Sequence, residues 1–243
     1  MLADDLRGMF YIALKDLKAY YFKPPNISWG ILFPFAFILA FAIRNPGDLR
    51  SLIPGLLALT LLFGTSSMEA IVIVFERRIG SLERLLLAPL RLPALLAGKL
   101  FGGMTFGLTV TLAALVISFA VFGSAGTNWL MLLLAILLSA SAFSGLGAFI
   151  SVAVREVFEA QTLANFIRFP MMFLGGVFVP LSAMPVWLRV VARFLPLTYS
   201  VEALRVALSG GAWTTAAFDL GALAAFSLFF FILAVSTLAR RIE

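Results

Sequence analysis

The stretch FERRIGSLERLLLAPLRLPALLAGK, Phe75 to Lys99, decides how the rest of the chain is read, because it is a dense patch of charge between two long apolar runs. Read as a helix, Glu76, Gly80 and Glu83 fall on one face and Arg77, Ser81 and Arg84 on the face beside it, while Ile79, Leu82 and Leu86 turn the other way. That spacing predicts an amphipathic helix of about three turns. Pro89 ends it, since the residue before a proline is pushed out of the α region, and Pro93 is placed to open the next helix in its first turn. Two readings fit such a segment: a solvated connector, or the place where another protein touches and drives this one.

Outward from that patch the chain is apolar. Of 243 residues, 62% are hydrophobic and only 12% charged, and the mean hydropathy is +1.07. A soluble surface cannot be built from so little charge, and the composition predicts an all-α integral membrane protein. Cysteine and histidine are both absent. Disulfides and thiolate sites are thereby excluded, and the commonest general base, proton shuttle and metal ligand are missing. A net charge of +6 and a pI near 10.2 fit juxtamembrane loops beside anionic lipid better than nucleic acid, and no nucleic-acid partner is expected.

Ahead of the patch, Leu6, Met9, Phe10, Leu14, Leu17 and Tyr21 share one helical face and Arg7, Lys15 and Lys18 another, with Asp5 and Asp16 at an edge. Residues 1–25 are therefore expected to form an amphipathic helix lying in the membrane interface and closed by Lys23-Pro24-Pro25. Apolar runs follow at Ile27–Ile43 and Leu52–Phe75, and beyond the patch from about Leu95 to Phe122, Trp129 to Val154, Thr162 to Gly176 and Ala217 to Leu238. Six membrane spans are expected, the first close to the lower limit of about 17 residues. In the third, Gly98, Gly102, Gly103 and Gly107 form two interleaved pairs that let a neighbouring backbone come close.

Between the fifth and sixth spans, residues 179–209 are broken by Pro180, Pro185 and Pro196 and predict a re-entrant outer hairpin followed by a short helix from Tyr199. Six spans put both termini on one side. Assigning that side to the cytoplasm leaves only Arg44, Arg50, Arg189, Arg193 and Arg205 of the 18 basic residues outside, in keeping with the positive-inside rule. The charged loop 76–94 then faces the cytoplasm and the hairpin faces outward.

Catalytic chemistry is hard to place in this chain. No glycine-rich loop ends in Lys followed by a hydroxyl residue, so there is no nucleotide site, and Glu156 and Glu159 are a lone i, i+3 pair with no further carboxylate to hold a metal. Two ionisable residues lie inside apolar runs: Glu69 in the second, and Arg168 in the fifth, where Gln161, Asn165 and Arg168 share a face at i, i+4, i+7. An intramembrane arginine costs about 2.5–3.5 kcal/mol on insertion scales. One reading makes these four residues a polar strip along a substrate path, with Glu69 and Arg168 paired; the other lets Glu69 and Arg168 snorkel to nearby headgroups.

The run Glu76-Arg77-Arg78-Ile79-Gly80-Ser81-Leu82-Glu83-Arg84-Leu85-Leu86 with Pro89 and Lys99 resembles the permease subunits of ABC-2 type ABC transporters, which export drugs, lipids and polysaccharides. So do Gly175-Gly176-Val177-Phe178-Val179-Pro180, Met184-Pro185, Trp187, Leu195-Pro196-Leu197, Tyr199 and Glu202-Ala203-Leu204-Arg205. Where the family often has Gly-Thr-Leu-Glu, this chain has Gly80-Ser81-Leu82-Glu83.

The resemblance covers essentially the whole chain and implies a single transmembrane domain over residues 1–243, in the inner or plasma membrane, that is not itself an enzyme. Loop 76–94 would carry the coupling helix, with Glu76, Arg77, Gly80, Glu83 and Arg84 at the contact with a separate ATP-binding subunit. Residues 1–25 would be the connecting helix. No cofactor is expected in this chain, ATP and Mg2+ being held by the partner, and two permeases would pair with two ATPases. Pro180, Pro185, Pro196, Tyr199, Glu202 and Arg205 would form the outer gate. The competing expectation is an ion-coupled secondary transporter using Glu69 and Arg168, which calls for inverted repeats that the sequence does not display.

Overall fold

The computed structural model describes residues 2–23, 32, 35, 36, 39, 40, 43 and 49–242. The expected first span over 27–43, with Pro24 and Pro25 before it, lies outside these residues apart from the scattered positions named. All regular structure among the described residues is helical. Helix α1 covers Leu2–Asp16 and passes into a π-helical turn, Leu17–Tyr21. After a 3-10 turn at Leu49–Leu52 come α2 (Ile53–Arg78), the short α3 (Ser81–Leu86), α4 (Leu92–Phe122), α5 (Trp129–Ala153) and α6 (Val157–Leu174). A 3-10 turn at Leu181–Ala183 leads to α7 (Val186–Ala192), α8 (Pro196–Leu208) and α9 (Trp213–Ile242).

Four of these are long and apolar enough to cross a membrane: Arg50–Arg78, Leu92–Phe122, Trp129–Ala153 and Trp213–Arg241. The shortest has 25 residues, about 38 Å at 1.5 Å per residue, against a hydrocarbon core of about 30 Å. The expected fifth span is helical as α6, but its 18 residues include Glu159, Gln161, Asn165 and Arg168, and it falls short of that standard of apolarity.

Helix α2 is the axis of the bundle. Leu57, Ala58, Leu59, Thr60, Leu61 and Leu62 together cover its whole circumference and are all fully buried, as expected of a largely apolar helix at the centre of a bundle. It packs against α4, α5, α6 and α8, while α9 covers α5 and α8 and leaves Phe218, Leu228, Phe229 and Ile232 exposed. The two glycine pairs of α4 have separate tasks. A Cβ at Gly98 would stand 2.9 Å from the Met9 carbonyl oxygen of α1, and one at Gly103 would stand 2.7 Å from Glu69 Oε2 of α2. Only glycine admits both neighbours.

At one end of the bundle a second apolar cluster joins six helices: Ile12 of α1, Ile73 of α2, Leu82 of α3, Leu95 and Leu96 of α4, Val152 of α5 and Leu238 of α9 all belong to it. At the other end α8 is sunk between α2, α5 and α9, with Leu197, Val201, Ala203 and Leu204 fully buried and Ser139 Oγ donating to Ser200 Oγ at 2.7 Å. Helix α8 starts at Pro196, three residues before the expected Tyr199, because proline in the first turn has no N–H to lose.

Candidate functional site

The charged loop is not one helix of three turns. Helix α2 runs through to Arg78, Gly80 takes φ +67°, and only Ser81–Leu86 continues as α3. A left-handed backbone is inexpensive at glycine alone, so Gly80 is where the chain bends. Leu82 is the anchor of α3, 2% exposed within the end cluster. Glu83 and Arg84 face outward beside Ile79 and Leu87, which are 50% and 86% exposed.

Arg77 turns inward. Its guanidinium donates to the carbonyl oxygens of Ser151 (3.2 Å) and Val154 (3.4 Å), and Arg241 donates to those of Val154 (2.9 Å) and Ala153. The two arginines thereby satisfy the unpaired carbonyls at the C-terminus of α5, where the helix dipole favours positive charge. Between them opens a pocket of about 700 Å3 lined by Arg77, Leu82, Glu83, Leu86, Arg155, Leu238 and Arg241.

Glu76 is also absent from the outward face. It is fully buried and accepts from both Lys99 and Lys15. Lys99 in turn lies 3.2 Å from Asp16, and Lys15 lies 2.9 Å from the same carboxylate. Helices α1, α2 and α4 are thus pinned together by an ionic cluster with Lys99 at its centre. Burial pushes the Asp16 carboxyl above its ordinary range, against the opposing pull of Lys99. Sequence reading set Lys15, Asp16 and Tyr21 around the N-terminal amphipathic helix and Lys99 in the family resemblance, and joined none of them to Glu69 or Glu76. The available signal was a lysine inside an apolar run, which needs a partner when it is buried.

Glu69 sits one helical stage further into the bundle and accepts a hydrogen bond at Oε2 from the Tyr21 hydroxyl. Burial, then the carboxylate itself, holds that hydroxyl well above its usual range, so tyrosine remains the donor. The expected pair between Glu69 and Arg168 does not form. Arg168 Nη1 instead donates to Ser67 Oγ at 2.7 Å, with the guanidinium carbon 5.6 Å from the centre of the Phe63 ring. Ser67 and Glu69 are two residues apart on α2 and point roughly 200° away from each other, Ser67 toward α6 and Glu69 toward α4 and the turn after α1. Gln161, Asn165 and Arg168 do share one face of α6: Arg168 is 1% exposed, while the other two are partly buried.

The residues expected at the outer end fall into two groups. Pro180 and Pro185 are exposed around the 3-10 turn, whereas Pro196 and Tyr199 are buried. Arg189 ties the turn together through the carbonyls of Leu181 (3.1 Å), Ser182 (3.1 Å) and Met184 (3.2 Å), and the Tyr199 hydroxyl donates to the Arg193 carbonyl at 2.6 Å. Glu202 and Arg205 pair at 2.8 Å, and Arg205 also donates to the carbonyl of Gly176 at 3.3 Å. Gly176 has φ +77°, which lets the chain reverse after α6.

Residues 8–209 match the sequence model of the family described as ABC-2 type transporter. The chain is 23% identical over 192 residues to the inner membrane transport permease YadH of Escherichia coli K12, covering 79% of this chain and 75% of that protein. It is 29% identical over 197 residues to a putative transport permease, ycf38, of Cyanophora paradoxa (77% and 66% covered). To nodulation protein J of Rhizobium leguminosarum bv. trifolii it is 28% identical over 182 residues (73% and 68% covered).

Proposed function

The chain belongs to the ABC-2 type transporter family, and from that premise we propose that it is the membrane subunit of an ATP-driven exporter, working with a separate ATP-binding protein. What carries this reading is α3: a six-residue helix set off by Gly80, keyed into the end cluster by Leu82 and presenting Glu83 and Arg84 outward. Such an element suits docking to a partner, whereas a mere connector has no need of a buried anchor. ATP and Mg2+ belong to the partner in this reading, and the chain contributes the path. Six spans, with α6 as the fifth, both termini in the cytoplasm, α1 lying in the interface, and α7 and α8 as the re-entrant outer gate complete the proposed arrangement. A second copy supplies the other half of the path, giving two permeases with two ATPases. An ion-coupled mechanism loses its motivation because Glu69 and Arg168 do not meet.

Co-purification of the full chain with ATP-binding proteins from its native source tests the reading, followed by ATPase assay with and without the chain. A complex whose ATP hydrolysis responds to the chain supports it. Flux driven by an ion gradient in vesicles holding this chain alone overturns it.

A further inference from the structure

Arg168 is a buried cation without a counter-ion. It is 1% exposed, its single hydrogen bond goes to the neutral Ser67 hydroxyl, and both Nε and Nη2 are buried with no acceptor. No carboxylate lies within ion-pairing distance of it among the described residues. A buried, unpaired charge is among the costliest features a fold can carry, and intramembrane charges face protein or a polar cavity for that reason. Two helical turns away on the same face, Gln161 Oε1 is likewise buried without a donor. The strip therefore has unmet capacity of both kinds. On the outer side of α6, roughly 100° round the helix from the strip, Phe158, Phe166 and Phe173 are 81%, 76% and 52% exposed.

We propose that the seam between α2 and α6 is a binding site for an acidic group, phosphate or carboxylate, carried on an apolar body. Arg168 receives the acid through its two free N–H directions, a fork suited to bidentate contact with either oxyanion. The apolar body passes out of the seam and round α6 to the exposed phenylalanines, and Gln161 accepts from a hydroxyl or amide of the ligand. Both free donors are shut off from solvent here, so entry requires α6 to part from α2, a movement that a permease makes when it opens its path. This inference rests on the permease reading of the chain.

The test is thermal unfolding of the purified full-length chain in neutral detergent, with added phosphatidylglycerol, phosphatidylcholine or inorganic phosphate. Phosphatidylglycerol is expected to raise the midpoint and phosphatidylcholine to leave it unchanged. Arg168→Gln weakens the phosphatidylglycerol response by about tenfold in concentration, the order expected for a lost charged hydrogen bond. Arg168→Lys, which keeps the charge but loses the fork, gives an intermediate response. Should the glutamine variant fail to fold, the lysine variant decides: a weakened response supports the site, an undiminished one overturns it. Equal responses in the wild type and Arg168→Gln overturn it as well, and so does an Arg168-dependent response to inorganic phosphate with none to phosphatidylglycerol, which marks a water-borne anion. The assay needs no ATPase. A chain that stimulates its ATPase but shows no Arg168-dependent binding overturns the acid site alone, while loss of the ATPase partnership overturns the permease reading whatever the binding result.

Discussion

Lys99 is fully buried and bonded to carboxylates from two other helices, Asp16 of α1 and Glu76 of α2. Removing its charge leaves those carboxylates close together with only Lys15, which is 36% exposed at its side chain, to balance them. Lys99→Met is expected to cost about 3–5 kcal/mol, as breaking one partner of a buried pair does. Adding Asp16→Asn and Glu76→Gln should restore most of that loss, because neutral groups at these positions need no counter-ion. Unfolding by denaturant titration in detergent measures both; a triple variant as unstable as Lys99→Met would mean that packing, not charge, held the site. This cluster also marks how far single residues were legible. Glu69, Glu76 and Arg168 stood out as ionisable groups within or beside apolar runs; helical periodicity grouped Arg168 with Gln161 and Asn165 but set Glu76 with Glu83, away from which it is buried. Their partners did not stand out, since Tyr21 is 48 residues from Glu69 and Asp16 is 83 from Lys99. Periodicity fixes a direction around one helix, and only packing decides which helix stands there.

At the scale of elements, prolines and glycines were the readable marks. Pro89 lies in the gap after α3, which stops at Leu86, and Pro93 sits in the first turn of α4, which starts at Leu92. Gly98 and Gly103 were visible as close-packing positions, though nothing in their spacing told that one pair would admit α1 and the other α2. Gly103→Leu is expected to destabilise the bundle by at least about 1–3 kcal/mol, since the added side chain meets Glu69 and Ser144; an unchanged midpoint of thermal unfolding would remove the close-packing role. Gly80 was the mark misread, because an isolated glycine inside an amphipathic pattern is compatible with a continuous helix until its φ is known. At +67° a side chain there costs about 1–2 kcal/mol. The expected consequence of Gly80→Ala is a straighter α2–α3 junction and a weaker hold on the ATPase, read as a lower yield of complex from co-purification with insertion of the chain unaltered. An unchanged yield would mean that the bend does not set the presentation of α3.

For the whole molecule, the proposed docking at α3 raises the question of how a push there would reach the bundle. Leu82 shares its cluster with Ile73, Leu95, Leu96 and Leu238, so α3, which packs on the end of α2, belongs to one apolar cluster with the ends of α4 and α9. The ionic cluster ties α1, whose Ile12 is in the apolar cluster as well, to the same end. An element coupled in this way moves its neighbours as a body, which is what a rigid-body switch between two states requires. On the proposed docking role, docking and transmission reside in adjacent residues of α3, Glu83 exposed and Leu82 buried, and are separable. Glu83→Lys reverses a charge on the outer face and leaves the buried contacts in place; it is expected to weaken binding of the ATPase, so that stimulated hydrolysis and transport fall together. Leu82→Ala keeps the outer face and empties part of the cluster, at about 2–5 kcal/mol for a buried leucine; it is expected to preserve the complex while transport per ATP hydrolysed falls. Measuring both quantities in reconstituted vesicles separates the two roles. If both variants lower hydrolysis and transport in the same proportion, α3 acts as a docking surface alone and the motion enters the bundle elsewhere, with α1 and its ionic cluster the next place to look.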